Sequence, residues 1–197
     1  MTENPTTALG RVVDGVQLPA PGTYTLDPTH TRVGFVARHL MVTKVRGHFG
    51  GVAGSITVAA DPKASTADAT LATASIDTGT ADRDTHLKSE DFFDVEKYPT
   101  ITFTGARVLA QDGAEFKVAG ELTVKDVTRE VILDVEVDGV AKDPWGGTRL
   151  AVTASTELDR EEWGLTWNVA LETGGVLVSK KVKLEIEAQA VLQAEQA

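Results

Sequence analysis

Few side chains in this sequence could do chemistry. The four histidines are His30, His39, His48 and His86. No two of them stand in a His-x-His or His-x-x-x-His pair, so a closed metal site would need carboxylates from elsewhere in the chain. We therefore expect no metal and no cofactor, with each histidine bonded to nearby backbone or carboxylate. His39 shares a strand face with Phe35, and a tight hairpin would carry it towards Arg46 or His48. That placement makes His39 a candidate contact for a ligand's polar head. Arg83-Asp84 has two readings: it binds such a head group at an opening, or it fastens a short helix to a strand end. Serine, histidine and aspartate occur without a Gly-x-Ser-x-Gly elbow. Gly50-Gly51 and Gly146-Gly147 precede no helix, so neither is a phosphate loop. Cysteine is absent, which removes disulfides and thiolate chemistry together. Lys180, Lys181 and Lys183 read as a solvated strand edge.

The elements that must position these residues are mostly strands. Residues 76–103 are the exception, because strand-like alternation stops there. Ala81 to Glu90 is charged and poor in β-branched residues, which predicts one short helix with acids near its start. Phe92 and Phe93 follow it, and adjacent phenylalanines on a surface segment need an apolar opening to plug. Pro99 ends the excursion. A sheet protein with one helix that ends in a phenylalanine pair resembles a barrel with a lid.

The rest alternates with period two. Gly22 to Asp27 reads as a first strand, Thr31 to Met41 as a second, and a turn near Val42-Thr43 leads into a third from Lys44 to Val58. Gly47, Gly50, Gly51 and Gly54 within that stretch mark bends that let a sheet curl. Asp112-Gly113 and Lys125-Asp126 mark turns, and Asp143 to Gly147 a loop. Strands follow over Phe116 to Val124, Val131 to Asp138, Leu150 to Glu157 and Lys181 to Leu192. Eight or so antiparallel strands, each with one apolar face, give an up-and-down barrel or a two-sheet sandwich. No βαβ rhythm is present.

The inward aromatics Phe35, Phe49, Phe92, Phe93, Phe103, Phe116, Trp163 and Trp167 either line and cap a hollow interior or fill a solid core. Small inward residues (Ala37, Gly120, Ala154, Ala188 and Ala190) favour the hollow version. At 197 residues with a net charge of −10, one domain is expected. That charge argues against nucleic acid and anionic membrane surfaces as the main partner. No run approaches a membrane span, and the N-terminal residues show no secretion signal, so a cytoplasmic protein is expected. Residues 1–21, with Pro5, Pro19 and Pro21, read as a flexible arm, 22–192 as the barrel and 193–197 as a tail.

Several segments together resemble the YceI family. They are Asp27-Pro-Thr-His30, Phe35 to Leu40, Val45 to Phe49, Ser75 to Gly79, Arg83-Asp84, His86-Leu87, Asp91-Phe-Phe-Asp94 and Tyr98-Pro99. The resemblance covers about residues 22–192. It implies an all-β fold: an extended eight-stranded antiparallel, lipocalin-like barrel with one short lid helix near 81–90. It also implies a long isoprenoid, quinone-like or fatty-acyl chain held inside. Ligand contacts are then expected from Phe35, His39, Phe49, Ile76, Arg83, Asp84, Leu87, Phe92, Phe93, Phe103, Trp163 and Trp167. The expected function is non-catalytic carriage of that lipid. The competing expectation is an enzyme, a hydrolase or isomerase, acting on it through His39, Arg83 or Asp84. Paired edge strands would allow a homodimer.

Overall fold

Alternating apolar and polar side chains let a strand bury one face and wet the other, and here the pattern recurs often enough to close a sheet on itself. The computed structural model of the protein describes residues 9–13, 15–172 and 174–194. Its strands are β1 (Gly10–Val13), β2 (Val16–Pro19), β3 (Gly22–Leu26), β4 (Arg32–His39), β5 (Thr43–Phe49), β6 (Val52–Val58), β7 (Thr66–Ala72), β8 (Ile76–Asp77), β9 (Thr100–Asp112), β10 (Glu115–Val124), β11 (Val127–Lys142), β12 (Thr148–Asp159) and β13 (Lys181–Leu192). One α-helix, α1 (Ala81–Lys88), lies between β8 and β9. Single 3-10 turns occupy Pro62–Ala64, Thr73–Ser75 and Arg160–Trp163.

The hydrogen-bonded order is β12-β11-β10-β9-β7-β6-β3-β13, and β13 returns to pair with β12. This is a closed, antiparallel, eight-stranded barrel. Strand β13 explains how the remaining strands attach. Its far end, Ala190 to Leu192, pairs with β3, while Lys183 to Glu187 pairs with β4. β3 and β4 are thus two halves of one course, broken where Pro28 withholds an N–H and fixes φ. β5 and β6 are likewise halves of one course, parted at Gly50-Gly51. β7 and β8 are parted by the turn at Thr73–Ser75. The halves β4, β5 and β8 extend the barrel wall beyond β13.

The single strand expected from Lys44 to Val58 is therefore two strands with different neighbours. A side chain at Gly51 would stand 2.8 Å from the Ala72 Cβ, so the crossing there requires glycine. The turn expected near Val42-Thr43 centres two residues earlier, at Leu40 and Met41. Turns at Asp112 to Ala114 and at Lys125-Asp126 fall where their residue types place them. Within the stretch expected to be a flexible arm, β1 and β2 pair as a hairpin, and Leu18 is only 2% exposed. Residues 1–8, 14 and the last three of the expected tail lie outside the described residues.

Candidate functional site

Strands β9 to β13 and β3 to β7 turn one apolar row each towards the barrel axis. Where those rows do not meet they leave a cavity of about 240 Å³. It is walled by Phe103 and Phe116 together with aliphatic residues that include Val118, Leu133, Leu184 and Ile186. Polar lining is confined to Arg11, Thr31, Ser65, Thr66 and Asp68, so the cavity is apolar along nearly all its length. Apolar cavities of this order stay dry and take up small hydrocarbons.

The cavity reaches the barrel end covered by the β1–β2 hairpin, where Leu18 and Pro19 join its lining. The hairpin is held there by Arg11, which donates to the carbonyls of Ala60 and, at 2.5 Å, Ala59. Nε of Arg11 is buried without a partner among the described residues. Beside it Tyr24 is fully buried and donates to the Ala20 carbonyl at 2.9 Å. Burial raises the Tyr24 pKa above its ordinary value, and the Arg11 charge opposes that rise.

The opposite end is closed by aromatic packing. Phe49 meets Phe35 at 5.9 Å between ring centroids and Phe93 edge-on at 5.7 Å. His86 stands edge-on to Phe92 at 5.1 Å and to Trp167 at 4.5 Å, and its Nε2 pairs with Asp91 at 2.8 Å. Ile76, Leu87, Trp163 and Phe103 belong to the same apolar cluster. The Trp163 indole N–H donates to the Leu122 carbonyl at 3.0 Å. Arg160 fastens the closure from within. It donates to the carbonyls of Ser179 at 3.0 Å, Trp167 at 2.9 Å and Leu165. Burial lowers its pKa from the usual arginine range, and the charges of Glu161 and Asp159 resist that change.

An eight-residue helix is too short to hold itself in water. Asp84 and Arg83 tether α1 to the end of β8. Asp84 Oδ1 accepts from the Thr78 amide at 2.9 Å, and Arg83 donates to Thr78 Oγ1 at 2.7 Å, the Thr78 carbonyl at 2.9 Å and Thr80 Oγ1 at 3.0 Å. Of the two readings of this pair, the fastening is the one with hydrogen bonds behind it. His39 pairs with Thr43 and bridges to Val178, while Arg46 sits opposite Val36 and His48 opposite Gly34, so His39 meets neither.

Among the residues expected to contact a ligand, Phe103 lines the cavity. Phe35, Phe49, Ile76, Leu87, Phe92, Phe93, Trp163 and Trp167 gather at the closed end instead. Two of the small inward residues, Ala154 and Ala188, line the cavity as expected of them. Gly120 opens no space, because the Phe103 ring lies over it and a Cβ there would stand 2.3 Å from that ring. Arg11 and Arg160 are not anticipated from the sequence. Arg11 and Arg160 bond mainly to backbone carbonyls, which leave no mark in a sequence. Among the described residues, no cluster of three or more histidines and acids stands close enough to hold a metal.

Comparison with known proteins agrees with this geometry. The profile of the YceI-like domain matches residues 24–190. A UPF0312 protein of Staphylococcus aureus strain USA300 is 40% identical over an alignment of 171 residues that covers 84% of this chain and 95% of that protein. The YCEI protein of Campylobacter jejuni superposes with a TM-score of 0.68 at 28% identity, over 80% of this chain and 90% of that one. BcnA of Burkholderia cenocepacia gives 0.70 at 21% identity, over 84% and 99%. A polyisoprenoid binding domain from Saccharophagus degradans, implicated in plant cell wall breakdown, gives 0.67 at 16%, over 88% and 100%.

Proposed function

The chain belongs to the YceI-like family, and from that premise we propose that it binds the hydrocarbon tail of a long-chain isoprenoid or related amphiphile inside its barrel, without catalysis. The observation that carries this reading is the cavity's almost wholly apolar lining within a closed sheet. Each buried CH₂ contributes about 0.8 kcal/mol, so ten carbons give ample affinity with no specific polar contact. A free volume of about 240 Å³ lies just below the ~300–1,000 Å³ typical of pockets that enclose whole ligands. The cavity therefore takes a tail, and the head stays at one end. The structural likeness to a polyisoprenoid binding domain supports the choice of isoprenoid over other tails.

Native mass spectrometry of freshly purified protein tests this. The expected result is a lipid adduct that extracts into organic solvent and rebinds one to one. Ligand-free protein that takes up neither polyprenols nor fatty acids would overturn the reading. Product that accumulates beyond one equivalent would replace carriage with catalysis.

A further inference from the structure

Soluble proteins rarely leave a run of apolar side chains in water. Leu40, Met41 and Val42 do so, at 43%, 53% and 75% exposure. They form the turn between β4 and β5, where the Val42 amide donates to the His39 carbonyl at 3.1 Å. Leu40 and Met41 hold φ angles of 52° and 59°. The Val42-to-His39 bond closes a turn whose two central residues are both in the left-handed region, where Asn and Gly are the usual occupants, so bulky residues are kept here against local preference. The neighbouring segment adds to the same surface. Leu40 donates to the Leu177 carbonyl at 2.8 Å, Leu177 donates to Val169 at 2.9 Å, and Val169 is 45% exposed.

Charge is segregated around this tip. Arg38 sits opposite Lys44, Val36 opposite both Arg46 and Lys183, and Lys181 lies two residues before Lys183. The period-two alternation puts Arg38, Lys44, Arg46, Lys181 and Lys183 on one face of the sheet. Three acids share that face: on β12, Glu157 opposite Lys183 and Asp159 opposite Lys181, and on β13, Glu185, bonded to Lys183 at 3.0 Å. That bond, with the charges of Lys183, Arg46 and Lys44, holds the Glu185 carboxyl below its usual range. Five cations thus share this face with three carboxylates on a chain whose total charge is −10, and Arg38, Lys44 and Arg46, which flank the tip, have no acid paired opposite them. Screening limits each charge to about 8–10 Å at physiological salt. A partner that meets this face therefore senses the local cations rather than the total.

We propose that the β4–β5 hairpin docks the protein on anionic lipid bilayers, with Leu40, Met41 and Val42 entering the interface and the basic collar holding lipid phosphates. An apolar tip above basic flanks matches the layering of such a surface, hydrocarbon beneath anionic head groups. A second copy of this chain fits less well, because a two-fold contact through this face would set the collar against itself. The proposal goes beyond tail binding and is tested with no cargo, so either can fail alone.

The test is co-sedimentation of the full chain with vesicles of phosphatidylcholine, alone or mixed with phosphatidylglycerol. Binding is expected to the mixed vesicles, and to fall as salt is raised. The triple variant Arg38→Gln/Lys44→Gln/Arg46→Gln should bind roughly a hundredfold more weakly. Met41→Ser/Val42→Ser should lose roughly tenfold, with its thermal midpoint unchanged because both side chains are exposed. No binding of the wild-type chain to anionic vesicles at low salt overturns the proposal. Variants that bind like the wild type do the same. A chain that sediments as a dimer, and that Met41→Ser/Val42→Ser converts to a monomer without affecting vesicle binding, also overturns it and makes the face a contact between copies.

Discussion

One ring decides how much of the barrel is hollow. Phe103 lies across Gly120, and its Cζ occupies the place where an alanine Cβ would stand, 2.3 Å away. Real side chains never approach so closely, so Gly120→Ala must push the ring along the axis into the cavity that Phe103 already lines. Overpacking of this kind costs about 1–3 kcal/mol. We expect Gly120→Ala to lower stability by that amount in urea unfolding and to weaken uptake of a fluorescent polyprenoid. Adding Phe103→Leu should restore much of both, giving a coupling energy of the sign that shared space predicts. Equal stability and equal uptake in the single variant would show that the ring has somewhere else to go. This pair also shows what the sequence could and could not tell. That Gly120 and Phe103 face inward is legible from period-two alternation. That one fills the other's space is a matter of register across β9 and β10, which slips near Ala119.

Elements differ in how far their boundaries are written locally. Strands β10 and β11 are legible because alternating apolar residues run up to a residue pair that turns, with Lys125 at a φ of 56°. The break at Pro28 is legible too, because a proline closes the strand before it, whereas those at Gly50-Gly51 and Thr73–Ser75 are not, since a bulge within one strand and a change of partner look alike in one dimension. Asp27 secures the first of these breaks. It accepts from Thr29 Oγ1 at 2.6 Å, Arg149 at 2.6 Å and His30 at 2.9 Å. The Thr29 hydroxyl first, then Arg149 and His30, hold its carboxyl well below the usual carboxylate range. A folded pKa below the unfolded value of ~3.9 gives stability that is fully present above the unfolded value. That stability is lost as pH falls through the folded one. Arg149→Gln should therefore unfold more easily than the wild type at pH 7, and the gap should close as acid protonates Asp27. Urea midpoints at pH 7 and below pH 3 measure this, and a gap that does not change with pH would refute it. At the β4–β5 turn the reverse trade is expected. Leu40→Asn/Met41→Gly suits the left-handed backbone there and should raise stability by about 1 kcal/mol, while vesicle binding falls.

At the scale of the whole molecule, an all-β barrel with one lid helix was legible because every strand repeats the same pattern and α1 interrupts it once. The distribution of function along the axis was not. Aromatic residues attract attention as ligand contacts, yet here most of them close one end, and Phe103 and Phe116 join a cavity wall that is otherwise mainly aliphatic. The other end is covered by a hairpin that precedes the family match at residue 24 and whose prolines disguise it as a loose arm. These two covers are unequal. The aromatic end is packed around Trp163, 3% exposed, and pinned by buried Arg160. The hairpin rests on Leu18 and the Arg11 contacts to Ala59 and Ala60. Segments with few buried contacts open first, at a free energy well below global unfolding. A tail inside the barrel should thus leave past β1 and β2. Leu18→Asp places a charge where the hairpin meets the cavity, and we expect it to speed release of a bound fluorescent polyprenoid roughly tenfold or more, given the ~2 kcal/mol that a buried leucine contributes. The near-ultraviolet signal of Trp163 and Trp167, at the far end, should melt at nearly the wild-type temperature. If release keeps its wild-type rate while the hairpin is shown to detach, the tail leaves through the aromatic end and α1 is the gate.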